Sequence, residues 1–172
     1  MYQLFDILGR KSSVSIIRLF LKNPTQEFYE TQVRERTKLA KASVDKWLKE
    51  LEKCGFLASR KQGRMNVYRL NASNEIVRLM KIIRTLDILH HEMDGIRDCQ
   101  AYLFGSSASG KDTESSDIDV LVIGKDRSVI DKIRRIDSRI KVSFFTPVEW
   151  SMAARKDAAF FESVEKNKIR LV

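Results

Sequence analysis

The stretch from Ala101 to Val122, AYLFGSSASGKDTESSDIDVLV, decides the fold. Tyr102, Leu103 and Phe104 form an apolar run that stops at Gly105-Ser106, a small polar loop follows, and Ser116-Asp117-Ile118-Asp119 opens a second apolar run. The order predicts a strand, a loop of phosphate size, and a second strand that begins with two carboxylates. Strand side chains alternate between faces, so Asp117 and Asp119 are expected to project together, with Cα atoms roughly 6–7 Å apart. Two carboxylates at that spacing repel unless a cation lies between them. Mg²⁺ takes one or two protein carboxylates and fills its shell with phosphate oxygens and water. The pair therefore predicts a metal site at Asp117 and Asp119 with ATP or another nucleoside triphosphate. Gly105 permits close backbone approach, and the Ser106 and Ser107 hydroxyls with nearby backbone N–H groups are candidate phosphate holders.

Gly105-Ser106, Ala108, Gly110 and Ser116-Asp117-Ile118-Asp119 resemble, in order and spacing, the minimal nucleotidyltransferases of the polymerase-beta-like superfamily. The resemblance implies a small domain on a mixed sheet, with Asp117 and Asp119 as the catalytic, metal-holding acids if the domain is active. Active members of that superfamily carry a third carboxylate on a neighbouring strand, which completes a two-metal site. The neighbouring strand is expected over Ile140–Thr146, where Ser143 occupies the acid's position and Lys141 and Phe145 share its face. Many members have Arg in the glycine-serine loop. This chain has Ser109 there, and Lys111 is the candidate to supply that charge to a nucleotide. Gly105 to Lys111 also reads as most of a P-loop, but Asp112 follows where that motif needs Ser or Thr for Mg²⁺, and no helix-length segment follows the lysine.

The 172 residues carry a net charge of +9, unevenly spread: residues 1–70 hold 15 Lys/Arg against 7 Asp/Glu, and residues 71–172 hold 17 against 16. Such asymmetry points to a nucleic-acid partner for the first part. The pattern there is helical. Val14 to Leu21 reads as a mostly buried helix ending before Asn23-Pro24, and Phe28-Tyr29 lead into a short helix around Thr31–Thr37. Lys41 to Lys53 is amphipathic, with Val44, Trp47, Leu48 and Leu51 at i, i+3, i+4, i+7, and Gly55 suits the left-handed position after it. Phe56–Arg60 and Asn66–Leu70 read as strands around Gln62-Gly63-Arg64.

Helix, helix, helix and hairpin over residues 12–71 resemble the winged helix-turn-helix family of DNA-binding proteins, through Leu39, Ser43-Val44, Leu48-x-x-Leu51, Gly55-Phe56-Leu57, Tyr68 and Leu70. Lys38 stands where a turn glycine is common, and Ala40 where a capping Ser or Thr is preferred. The resemblance implies that the third helix enters the major groove of double-stranded DNA by its N-terminal residues. Lys41, Ser43, Lys46 and Lys49 are then the helix candidates for DNA binding, and Arg60, Lys61 and Arg64 the wing candidates.

From Asn74 to about His91 one long helix is expected, with Ile76, Leu79, Ile83 and Leu86 alternating spacings of three and four. A seam of that kind predicts helix packing, either across a homodimer, the reading preferred, or against the chain's own two domains. The chain is thus expected to be α/β (α+β): a winged helix-turn-helix over 1–72, a connector and dimerisation helix over 73–97, and a nucleotidyltransferase-like mixed-sheet domain over 98–172. Cys54 and Cys99 form no disulfide framework or metal spacing, and no signal peptide or membrane-length apolar run is present, so a cytoplasmic protein is expected. The function expected is a DNA-binding transcriptional regulator whose second domain binds nucleotide and Mg²⁺. The alternative is an active enzyme moving a nucleoside monophosphate onto a protein or small molecule.

Overall fold

The computed structural model describes residues 4–93 and 96–172, and the chain divides into two compact units, Met1–Arg78 and Leu79–Val172. In the first, α1 (Leu4–Leu8), α2 (Lys11–Lys22), α3 (Glu30–Thr37) and α4 (Lys41–Lys53) accompany a three-stranded antiparallel sheet. Its strands are β1 (Glu27–Tyr29), β2 (Leu57–Gln62) and β3 (Met65–Leu70), in the order β1-β3-β2. The stripe of α4 is buried as its spacing demands: Val44, Trp47, Leu48 and Leu51 are all in the core. Each such side chain contributes about 1.5–3 kcal/mol by leaving water.

The third strand departs from expectation. Glu27–Tyr29 is paired backbone, with Phe28 opposite Tyr68, where only a lead-in to α3 was expected. Phe28 is fully buried and meets Phe20 edge to face, ring centroids 5.4 Å apart. A strand of three residues has no room for the alternation that would announce it.

Gly55 adopts φ +73° after α4, as expected of a helix-terminating glycine. Its carbonyl accepts from the Asn71 and Asn74 side-chain amides at 2.8 and 3.1 Å. Asn74 also caps α5 (Glu75–Met93), its Oδ1 accepting from the Ile76 and Val77 N–H groups.

In the second unit the sheet order is β6-β5-β4-β7, formed by β4 (Cys99–Phe104), β5 (Ile118–Gly124), β6 (Ile140–Phe145) and β7 (Ile169–Arg170). β5 and β6 are parallel, and the other pairs antiparallel. A five-residue helix, α6 (Gly105–Ser109), joins β4 to the polar loop, where loop alone was expected. α7 (Val129–Arg134) lies between β5 and β6 in the chain, and α8 (Pro147–Lys156) and α9 (Ala158–Asn167) follow β6. Alternation along β5 separates two cores. Ile118, Val120 and Val122 pack with Leu89 and Met93 of α5 and Ile133 of α7. Leu121 and Ile123 pack with Phe104, Val164, Trp150 and Phe160. Among the described residues no helix is long and apolar enough to cross a membrane.

Candidate functional site

Asp119 lies at the start of β5 on the face it shares with Leu121 and Ile123, half-buried at the edge of an otherwise apolar layer. Its register neighbours are Phe104 on β4 and Lys141 on β6. Phe104 is held edge-on by Phe160, centroids 5.8 Å apart. Gly105, next in the chain, has φ +71°, and a Cβ there would stand 2.6 Å from Asp119 Oδ2. The glycine is required because the carboxylate rests against its backbone. Burial first, and the charge of Asp117 second, push the Asp119 carboxyl above its ordinary pKa. Asp117 is exposed and sits one residue ahead of β5, not within the strand as expected, yet near enough to Asp119 for this repulsion.

The loop residues divide. Ser106 is half-buried and Lys111 exposed. The Lys111 N–H donates to the Ser106 carbonyl at 2.9 Å, folding the loop back on α6. Ser107, expected to touch phosphate, is 1% exposed, and its hydroxyl donates to the Asp117 carbonyl at 3.3 Å. Ser109 is half-buried, and its hydroxyl donates back to the Ser106 carbonyl of its own turn at 3.0 Å. α6 brings this about: a helical turn points consecutive side chains to different sides, whereas a loop was expected to line them up.

The residues fit Mg²⁺ in one manner. Among the described residues no cluster of three or more His, Cys, Asp or Glu could cage a metal, but the Asp119 carboxylate lies beside Gly105 and is disfavoured in its charged form by burial and by the nearby charge of Asp117. A cation held by one or two carboxylates and completed by ligand phosphates and water meets that description. On β6 the position expected for a third acid is Ser143, opposite Leu121, while Lys141 stands opposite Asp119. Lys141 is exposed.

The basic residues of the first unit also divide. Lys41, Lys49 and Arg64 line one groove of about 420 Å³ with Thr31, Arg34 and Tyr68. Arg34 was not singled out in the sequence, because α3 has no apolar stripe to orient it and buries only Val33. Lys61 pairs across the sheet with Asn66, which lines the same groove. Arg60, one residue earlier, lies on the opposite sheet face, where it grips Glu27 with two hydrogen bonds, the Nε one at 3.0 Å. Ser43 is half-buried, and the Lys46 ammonium stands over the Trp47 ring, 5.2 Å from its centroid. Lys49 is held by Asp45 at 2.8 Å.

Residues 97–172 match the family model described as Polymerase beta, Nucleotidyltransferase, and carry a polymerase-beta-like nucleotidyltransferase domain. No curated protein matches the chain. Among solved structures the chain is similar to Rv0081 of M. tuberculosis, at 18% identity over 48% of this chain and 79% of that one, with a TM-score of 0.40. A Sulfolobus solfataricus protein named "putative nucleotidyltransferase" is similar at 19% identity over 55% of this chain and 85% of that one, TM-score 0.35. TrmBL2, described as an archaeal chromatin protein with a novel mode of DNA binding, is similar at 15% identity over 90% of this chain and 68% of that one, TM-score 0.29.

Proposed function

We propose that the chain is a DNA-binding transcriptional regulator of winged-helix type whose nucleotidyltransferase-like domain binds a nucleoside triphosphate with Mg²⁺. The observation that carries it is the convergence of Lys41, Lys49, Arg64 and Arg34, against Glu30 and Asp45, on one groove along α4, in the part of the chain that holds nearly all the excess positive charge. A duplex backbone is the partner that such a groove attracts, through counterion release. The test is duplex binding by the full chain as salt is varied. The expected result is affinity falling steeply with salt and weakened further in Lys41→Ala/Arg64→Ala. Unchanged binding in that variant counts against the reading.

At the other site Asp117 and Asp119 hold the cation, Ser106 and Lys111 meet phosphate oxygens, and Ser107 fixes Asp117 through its carbonyl. Bound Mg²⁺ would neutralise phosphate charge. Gly105 leaves the Asp119 carboxylate the space it needs, and Phe104, the register neighbour of Asp119 on β4, is held edge-on by Phe160. Nucleotidyl transfer is the second reading, favoured by the place of Asp119 against Gly105 and by the raised pKa that burial and then the charge of Asp117 give it, since a carboxyl perturbed in this way is a candidate for a reacting group. It calls for pyrophosphate release that needs Mg²⁺ and vanishes in Asp119→Asn. The absence of an acid at Lys141, Ser143 and Phe145 favours binding over turnover.

The regulator is read as a homodimer. On α5 the side chains of Ile76, Leu79 and Ile83 are 38%, 48% and 63% exposed, an apolar row at helical spacing that a second copy would cover. Sedimentation of Ile83→Glu is expected to show monomer where the parent chain shows dimer.

A further inference from the structure

One charged side chain of the second unit is buried on a helix that carries none of the site residues. Lys81, on α5, is 5% exposed. A buried ammonium is costly unless each of its three N–H groups finds an acceptor. Lys81 Nζ finds three oxygens, all from the segment that follows α6: the Gly110 carbonyl at 2.9 Å, the Asp112 carbonyl, and Asp112 Oδ1 at 3.2 Å. The two carbonyls bracket Lys111. Asp112 is itself 6% exposed, and its Oδ1 has no hydrogen-bond partner, so it contributes charge rather than an aligned bond. Gly110 turns the chain at φ +68°, and the Lys111 N–H closes onto Ser106. The backbone on both sides of Lys111 is therefore clamped, and the Lys111 side chain alone is left in solvent.

We propose that Lys81 is a positioning residue for the nucleotide site: from α5 it fixes the loop that presents Lys111 to the triphosphate. This rests on the nucleotide reading above and assigns to a residue outside the Gly-Ser and Asp-x-Asp segments a part in phosphate binding. Lys81 touches no ligand. It acts through the Gly110 and Asp112 carbonyls, so its loss costs affinity only to the extent that Lys111 loses its place.

The test uses the full chain. Lys81→Met alone leaves Asp112 as a buried unpaired charge, which destabilises strongly, so the working variant is Lys81→Met/Asp112→Asn. The single variant Asp112→Asn serves as its control: Lys81 loses its charge partner there, at a cost to global stability, but keeps both carbonyl bonds that hold the loop. Amide hydrogen exchange is expected to be about 10-fold faster or more over residues 110–113 in the double variant, with β5 unchanged and Asp112→Asn like the parent. Equal loop exchange in parent and double variant overturns the clamp. Calorimetric titration with Mg-ATP is expected to show about 10-fold weaker binding in the double variant, which corresponds to 1.4 kcal/mol. In a Lys111→Ala background the same double change is expected to add nothing, the non-additivity of residues that act as a unit. A full additional loss there means a general structural role and overturns the positioning claim. A parent chain that binds no Mg-ATP overturns the nucleotide reading and the affinity claim with it, while the exchange result still decides the clamp.

Discussion

The Asp119 carboxylate lies against the backbone of Gly105, so close that a methyl group on the glycine would stand 2.6 Å from Oδ2. Real contacts of that kind are not made, and the position also has φ +71°, where an L side chain costs about 1–2 kcal/mol. Gly105→Ala is expected to push the carboxylate out of place while the two cores of the sheet persist. Calorimetry should show Mg-ATP binding lost in this variant, with melting lowered by only a few degrees. Retained binding would mean that Asp119 does not hold the cation.

The same burial sets a pH dependence. Asp119 has a folded pKa raised above its ordinary 3.8 by burial, and then by Asp117. Above 3.8 and up to the raised value, the folded chain keeps a proton that the unfolded chain has released, so stability falls as pH rises through that window. At neutral pH without metal the ionised carboxylate is therefore a destabilising group. Asp119→Asn is expected to melt above the parent at pH 7 in chelator, with the difference shrinking toward pH 4. Mg²⁺ requires the ionised form, so its affinity for the parent should weaken as pH falls through the raised pKa. A variant that melts below the parent at both pH values contradicts this account.

Legibility in the sequence follows from how local each signal is. The α4 stripe was readable because four apolar residues recur at helical spacing, and its ends, Lys41 and Lys53, come out as expected. Gly105 was readable as a point of close approach, but what approaches is Asp119 from β5, a contact across strands that no local pattern encodes. On α5 the expected seam divides: Ile76, Leu79 and Ile83 are exposed, Leu86 is half-buried against the sheet core, and the buried face is Val77, Lys81, Ile82, Thr85 and Leu89. Lys81 and Thr85 break the apolar rhythm of that face, so it could not compete with the seam. The signal available for Lys81 was its place between Val77 and Leu89, four and eight residues away. Ser107 was misplaced for the opposite reason: α6 is a single helical turn, too short to show a period.

Lys38 holds φ +58° at the end of α3, its N–H donating to the Arg34 carbonyl at 2.9 Å. A lysine there bears the left-handed penalty that a glycine avoids, less the greater freedom a glycine loses on folding. Lys38→Gly is expected to stabilise the first unit by about 0.5–1 kcal/mol. Urea unfolding followed by Trp47 fluorescence in a Trp150→Phe background reads that unit alone. A midpoint lower than the parent's would show that the Lys38 side chain contributes more than its backbone costs.

Asp45 gives the sharpest test of the groove. It lines the groove with Lys41, Lys49 and Arg64, and its carboxylate lies 2.8 Å from Lys49 Nζ. An exposed pair of this kind is worth little to stability, so Asp45→Asn should leave folding unchanged. It should not leave DNA binding unchanged. A phosphate approaching Lys49 must compete with Asp45, and the carboxylate also repels the duplex directly. Removing its charge is expected to tighten duplex binding at low salt and steepen the salt dependence by about one counterion. Arg60→Ala, on the far sheet face and paired with Glu27, is expected to change the slope little. If Arg60→Ala weakens binding and Asp45→Asn does not strengthen it, the duplex meets the Glu27 face of the sheet and not the groove.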